Sequence, residues 1–525
     1  MEMDFIPTVL PTILYKIQLY LKLITKLIKI SKVSSTMASL EPSPSTTTTN
    51  NQQDLPLKQI PGTYGLPFIG PIFDRHDYFY NQGKDKFFST RIQKYNSTIF
   101  RTNMPPGPFI SSNPRVIALL DAASFPILFD NKKVEKYNVL DGTFMPSTNF
   151  TGGYRVCAYL DTTEPSHALI KGFYLNTLLS RKDTFVPLFR TILSDAFNVI
   201  EDELASKNGK ADFNSVVSDA SFNFMFRLFC DNKDPSETIL GSQGPKMFDT
   251  WLLFQLAPLA TLGPPKIFNY LEDLLLRTIP FPACLARSSY KKLYETFSSS
   301  AVTLLNEAEK AGLKRSEACH NIVFTAGFNA YGGLKNQFPI LFKWVGLSGL
   351  SLHKELANEI RTVVKQEGGV TIQSLEKMSL VKSVVYEAMR IEPAVPYQYA
   401  KAREDLIVKS HDASFEIKKG EMIFGYQPFA TKDPRVFDDA EVFVPNRFIG
   451  EGEKLLKYVL WSNGKEIEEP SIDNKQCPGK NLVVLLCRLF LVEFFLHYDT
   501  FGFESKNNAF GAAVTITSLT KASTV

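Results

Sequence analysis

With 525 residues, 44% hydrophobic and 21% charged, the chain has the composition of a globular protein of one to three domains. A formal net charge of +4 is too small to imply nucleic acid as a partner. Six widely scattered cysteines with no CxxC pair exclude a disulfide framework and a structural zinc site, and HExxH, GxxxxGK[ST] and a strand-linked GxGxxG are absent.

Residues 13–32 read ILYKIQLYLKLITKLIKISK, with Gln18, Lys22, Thr25, Lys26, Lys29 and Lys32 on one helical face and Leu and Ile opposite. The lysines interrupt the apolar run, so the pattern predicts a basic amphipathic helix on an anionic membrane surface rather than a transmembrane span. An organellar targeting segment fits residues 1–36 equally, as does an extension made dispensable by Met37. Residues 37–56 are a polar, low-complexity linker, and the globular body is expected over 57–525. The 42 Phe residues are mostly core, with some left to line an apolar pocket. Apolar residues recur at helical spacing over 184–206, 246–260, 289–312, 317–345, 350–367 and 374–391. Strand-like pieces lie at 97–102 and 405–418, where His411-Asp412 and Lys418-Lys419-Gly420 read as turns. The expected fold class is mainly α with a minor β portion, in one domain without internal repeats.

Within 374–391, Glu387 and Arg390 form ExxR on one helix face. About sixty residues later Arg447 stands in Phe443-Val444-Pro445-Asn446-Arg447-Phe448. A buried Glu–Arg–Arg cluster would explain this order, because buried guanidinium groups need carboxylate or carbonyl partners; three surface charges are the alternative. Next comes Asn474-Lys475-Gln476-Cys477-Pro478-Gly479-Lys480, ahead of the apolar run 482–496. This puts a thiol at the start of a buried helix, with Pro478 suited to the first helical position. Unpaired N–H groups, the helix dipole, Lys475 and Lys480 are expected to lower the thiol pKa. Such a thiolate can serve as a nucleophile, a redox centre or an axial iron ligand.

ExxR, then P-x-R-F, then a cysteine loop before a final buried helix resembles a haem-thiolate cytochrome P-450 over residues 57–525. The resemblance implies that fold, with a b-type haem between the mid-chain long helix and the cysteine loop. Cys477 is then its axial ligand, and Glu387, Arg390 and Arg447 are structural. Two departures from the usual oxygenase are informative. Pro470, Asp473 and Lys475 replace the Phe, Gly and Arg of F-x-x-G-x-R-x-C. In Ala326-Gly327-Phe328-Asn329-Ala330, Asn329 replaces the acid and Ala330 the threonine of A-G-x-[DE]-T, so proton delivery to dioxygen is lost. A preformed peroxide needs no such relay, no dioxygen and no reductase.

The chain is similar to the plant family that metabolises fatty-acid hydroperoxides, through Asn103-Met104-Pro105-Pro106-Gly107-Pro108-Phe109, Phe328-Asn329-Ala330-Tyr331-Gly332-Gly333, Asn474-Lys475-Gln476-Cys477 and Ser518-Leu519-Thr520-Lys521-Ala522. By resemblance, Asn329 hydrogen-bonds the substrate hydroperoxide and Lys335 is a polar substrate contact. Lys136, His167, Lys171 and Lys475 meet the haem, chiefly its propionates.

In this family, homolytic O–O cleavage gives an alkoxyl radical that closes to an epoxide, leaving a carbon-centred radical. Allene oxide synthases oxidise it and remove a proton, lyases trap hydroxyl to give a hemiacetal that splits into an aldehyde and an oxo-acid, and divinyl ether synthases rearrange it. Leu140 stands where the synthases typically carry Phe, whose π face can stabilise the radical or cation. An aliphatic residue, together with Asn329-Ala330 and the stretch 155–161, leads us to expect a lyase acting on 9- and/or 13-hydroperoxides of linoleic and linolenic acid. Arg390-Ile391-Glu392-Pro393 and the stretch 425–434 speak for the alternative, allene oxide synthase. Divinyl ether synthase and a haem-binding sensor without turnover are the remaining readings. The expected location is intracellular and membrane-associated, at the endoplasmic reticulum, lipid bodies or a plastid.

Overall fold

The computed structural model describes residues 55–140, 144–508 and 511–523. The amphipathic segment 13–32 lies outside the described residues, and among the described residues no helix is long and apolar enough to cross a membrane.

The body is mainly helical around one long rod. Arg315–Phe324 passes into a π-helical stretch, Thr325–Tyr331, and then into Gly332–Glu367. A wide turn of this kind often marks a functional site, because it turns side chains out of helical register. The rod is broken at Gly349, whose φ of 74° suits glycine, between the expected helices 317–345 and 350–367. Two other expected helices are also divided. Segment 289–312 breaks at Ala301 into Arg287–Ser300 and Val302–Lys310, and 374–391 breaks near Met378 into Ile372–Glu376 and Ser379–Ile391.

The sequence reading named no helix at Phe213–Phe229. Its apolar residues surround the helix instead of forming a stripe, because it is buried on most sides. Lys480–His497 is equally apolar all round and packs against the rod, with Phe338 and Phe490 in ring contact at 5.4 Å. Phe342 stacks on Phe213 at 4.4 Å and on Phe501 at 3.9 Å, so much of the phenylalanine content forms this joint core.

The β portion flanks the helices. A five-stranded sheet runs in the order Ile99–Asn103, Arg115–Leu119, Met422–Tyr426, Tyr397–Ala402 and Val134–Glu135. The expected strand 405–418 is a hairpin of Leu406–Lys409 and Ser414–Ile417. A C-terminal hairpin, Tyr498–Asn508 with Gly511–Lys521, was not anticipated. Val514 and Ile516 alternate inward there, a period of two that the polar residues between them mask in the sequence.

Candidate active site

A cavity of about 1220 Å³ lies between the rod, the cysteine loop and the sheet. Cys477 lies in its wall, open to the cavity and otherwise enclosed. Its loop is held by the short ladder of Leu460–Trp461 with Gly464–Lys465. The Cys477 N–H donates to the Ser462 carbonyl at 3.1 Å, and Gln476 Nε2 donates to the Lys465 carbonyl at 2.6 Å. Gln476 packs so closely that a Cβ on Gly464 would sit 2.6 Å from its Cδ.

The helix begins at Lys480 with Gly479 as its N-cap, so Pro478 precedes the helix instead of opening it. The expected lowering of the thiol pKa also needs correction: burial pushes it up, against smaller opposing effects of the Gly479 N–H and Lys171. Lys480 Nζ turns away to the carbonyls of Glu466 and Glu468, and Lys475 Nζ to those of Cys157, Ala158 and Leu160. A coordinated metal cation would supply the missing stabilisation of a thiolate.

Glu387, Arg390 and Arg447 come together behind this loop. Arg390 Nη1 donates to the carbonyls of Thr431 at 3.1 Å and Ala440 at 2.7 Å, and Arg447 Nε to the Glu387 carboxylate at 3.0 Å. Ser383, on the same helix as Glu387, accepts the Phe448 N–H at 3.0 Å, and Tyr386 donates to Glu466 at 2.7 Å. The helix Ser379–Ile391 thereby fastens the chain that leads to the cysteine.

Lys136, His167, Lys171 and Lys475 all line the cavity, although they arise from three regions of the chain. His167 and Lys171 are four apart on the helix Pro165–Ser180 and share a face. Lys136 follows the edge strand Val134–Glu135 and donates to Asn463 Oδ1. Lys171 donates to the backbone and side-chain oxygens of Asn474. Among the described residues no carboxylate pairs with any of the three lysines, and His167 Nδ1 is buried without a partner. Burial pushes Lys136 and Lys171 down to about 7 and His167 to about 4, each with help from neighbouring positive charge. Such a cluster fits a dianionic group. Together with a cavity-facing thiol, it suits a haem whose propionates would meet these four side chains.

Asn329 sits in the π-helical stretch and faces the cavity, and among the described residues its carboxamide makes no side-chain hydrogen bond. The rod can approach here because residue 327 is glycine; a Cβ would lie 2.2 Å from Phe248. Leu140 also lines the cavity, partly buried. Lys335 lines it too, but is ion-paired to Asp249. Sequence reasoning missed Asn463, Asn474 and Asp249 as partners of the lysines. The only available signal was that Asn474 adjoins the cysteine motif, since the other pairings exist only in the folded chain.

The family description "Cytochrome P450" matches residues 350–508. The chain is 55% identical to "Allene oxide synthase 3" of Solanum lycopersicum over 468 residues, covering 89% of this chain and 95% of that protein. It is 54% identical to "Allene oxide synthase 1, chloroplastic" of the same species, over 92% of this chain and 90% of that protein. It is 50% identical to "Divinyl ether synthase CYP74D1", also of Solanum lycopersicum, over 90% of this chain and 98% of that protein. These names are synthases, and they favour the alternative over the expected lyase. The chain belongs to the cytochrome P450 family, in the CYP74 branch that metabolises fatty-acid hydroperoxides, and its cofactor is a haem whose iron is held by a cysteine thiolate.

Proposed function

We propose that the protein is a hydroperoxide dehydratase, converting a fatty-acid hydroperoxide into an allene oxide and water. Near-full-length likeness to proteins named allene oxide synthase carries this reading. The cavity supports a preformed peroxide as substrate, common to dehydration and cleavage, since the rod presents Asn329 and Ala330 there, with no acid or hydroxyl at either position. Bound haem supplies an iron centre that opens a preformed O–O bond without external electrons. Cys477 is the iron ligand in this proposal, and Lys136, His167, Lys171 and Lys475 hold the propionates. The Asn329 carboxamide orients the hydroperoxide by hydrogen bonding. The apolar walls, among them Phe224, Leu228, Leu252 and Phe328, keep water from the reactive product.

A second reading, cleavage by a lyase, is favoured by one observation. Leu140 in the cavity wall is aliphatic and offers no π face to a radical or cation.

Product analysis with purified holoenzyme tests both, using 9- and 13-hydroperoxides of linoleic acid without reductase. An α-ketol from hydrolysed allene oxide is expected. Aldehydes with oxo-acids would assign the lyase instead, and turnover only with a reductase and air would overturn both. Cys477→Ser should abolish the thiolate-type haem spectrum and turnover. The relative named chloroplastic supports a plastid location, with residues 1–36 as the targeting segment. A fluorescent fusion with and without those residues tests it against attachment to a membrane surface.

A further inference from the structure

A chain of oxidisable rings runs from the cavity wall to the surface. Phe324 and Phe328 line the cavity and stack at 4.9 Å. Phe324 makes an edge-to-face contact at 5.9 Å with Trp251, which is fully buried on the helix Gly244–Leu256. Trp251 stacks on Tyr290 at 5.6 Å, and the Tyr290 hydroxyl lies 2.6 Å from His320 Nδ1. His320 stacks on Tyr294 at 4.4 Å and lies 5.3 Å from Tyr154, and these last three rings are partly exposed.

A core needs only apolar rings, whereas Trp and Tyr bring a polar atom that must find a partner. They also surrender one electron far more readily than Phe does. An oxidised phenol is a strong acid, and His320 is the base beside Tyr290, since neutral imidazole carries an acceptor nitrogen. Tyr159 touches Phe324 as well, at 5.6 Å, but its buried hydroxyl has no hydrogen-bond partner among the described residues to take its proton. Electron tunnelling weakens steeply with distance, so rings in contact carry charge that a single jump from cavity to surface would not. Such a path has a use here. Homolytic opening of a peroxide makes an organic radical, and when that radical escapes, the haem site is left one oxidising equivalent above rest.

We propose that Trp251, Tyr290 and His320 form an electron relay from the haem cavity to the surface, giving the protein a second activity: oxidation of a small one-electron donor, such as ascorbate, at the edge formed by Tyr154 and Tyr294. Trp251 passes one electron to the haem site, and the hydroxyl fragment of the peroxide leaves as water with a proton from solvent. Tyr290 refills Trp251 and hands its phenolic proton to His320 Nδ1. Ascorbate then returns the electron to Tyr290 and His320 returns the proton. The proton that oxidised ascorbate releases balances the one taken up in the cavity. The inference rests on a haem that opens hydroperoxides and is independent of whether dehydration or cleavage follows.

Cumene hydroperoxide tests the relay in the holoenzyme, because its alkoxyl radical fragments to acetophenone and cannot return the electron. Rapid-freeze electron paramagnetic resonance of the wild type should show a tyrosyl radical, and ascorbate should be consumed and protect the Soret band from bleaching. Tyr290→Phe should lose most of the radical, the ascorbate oxidation and the protection, while it consumes a linoleic acid hydroperoxide at the parent rate. Trp251→Phe and Trp251→Tyr both forfeit the indole N–H bond to the Phe150 carbonyl, so they share any structural damage. Only the tyrosine can carry an electron, and that variant should keep the ascorbate oxidation that Trp251→Phe loses. Equal ascorbate oxidation in the two Trp251 variants, an undiminished radical in Tyr290→Phe, or no tyrosyl radical in the wild type would overturn the proposal.

Discussion

The Arg390 guanidinium donates to both oxygens of the Glu387 carboxylate, at 2.7 and 2.8 Å, with neither side chain exposed to solvent. Arg447 completes the cluster from a loop sixty residues away in sequence. Removing the single acid leaves two guanidinium groups without their counter-ion. Glu387→Gln should therefore cost about 3–5 kcal/mol of stability. Chemical denaturation checks the figure, and haem incorporation on expression should fall in parallel, because the same helix fastens the cysteine loop.

Lys136 gives a pair of effects with opposite signs. Its ammonium is buried and held mainly by an amide oxygen, and burial, with Lys475 nearby, pushes its pKa down to about 7. Lys136→Met should raise the melting temperature of the haem-free protein by removing that penalty. It should also speed haem loss by about tenfold, the worth of one charge-assisted bond to a propionate. A variant that melts lower and keeps its haem would make Lys136 a structural residue only.

Asn329 is expected to act on the peroxide and not on the haem. Asn329→Ala should slow hydroperoxide consumption by about tenfold, as for loss of one functional hydrogen bond, while the haem spectrum is retained. Single-turnover kinetics with a fixed hydroperoxide measures this, and an unaltered rate removes the residue from the chemistry.

Leu140→Phe brings an aromatic face into the cavity wall. The ratio of α-ketol to aldehyde should rise relative to the parent enzyme. Chromatographic product ratios decide it; a constant ratio dismisses Leu140 as the branch point.

The pH dependence of stability has a source away from the cavity. His320 is enclosed by Tyr154, Tyr290 and Tyr294, with its Nδ1 2.6 Å from the Tyr290 hydroxyl, and burial pushes its pKa down to about 4. The unfolded chain takes up this proton near pH 6.5 and the folded one only near 4, so stability falls with acidification between those values. The loss is roughly 2–3 kcal/mol. Denaturant midpoints at pH 7, 5.5 and 4.5 measure it, and His320→Gln should flatten that portion of the profile.

Patterns that depend on neighbouring residues were legible before folding. Amphipathic periodicity announced Phe185–Ser206 and Ser379–Ile391. It overlooked Phe213–Phe229, because a helix buried on most sides has no stripe to detect. The cysteine motif was equally plain, but the charge state inferred from its neighbours was not. Lys475 and Lys480 are adjacent to Cys477 in sequence, yet their ammonium groups turn to backbone carbonyls elsewhere.

The sequence by itself determined the helical class, the ExxR pair, the cysteine before a buried helix and the loss of an oxygenase's acid and hydroxyl at Asn329 and Ala330. These are local facts, set by side-chain chemistry and short spacings. Only the tertiary structure decided which cations remain without acids and which are neutralised. Lys136 meets Asn463 and Lys335 meets Asp249 across long stretches of chain, and Coulomb energies depend on distance in space rather than in sequence.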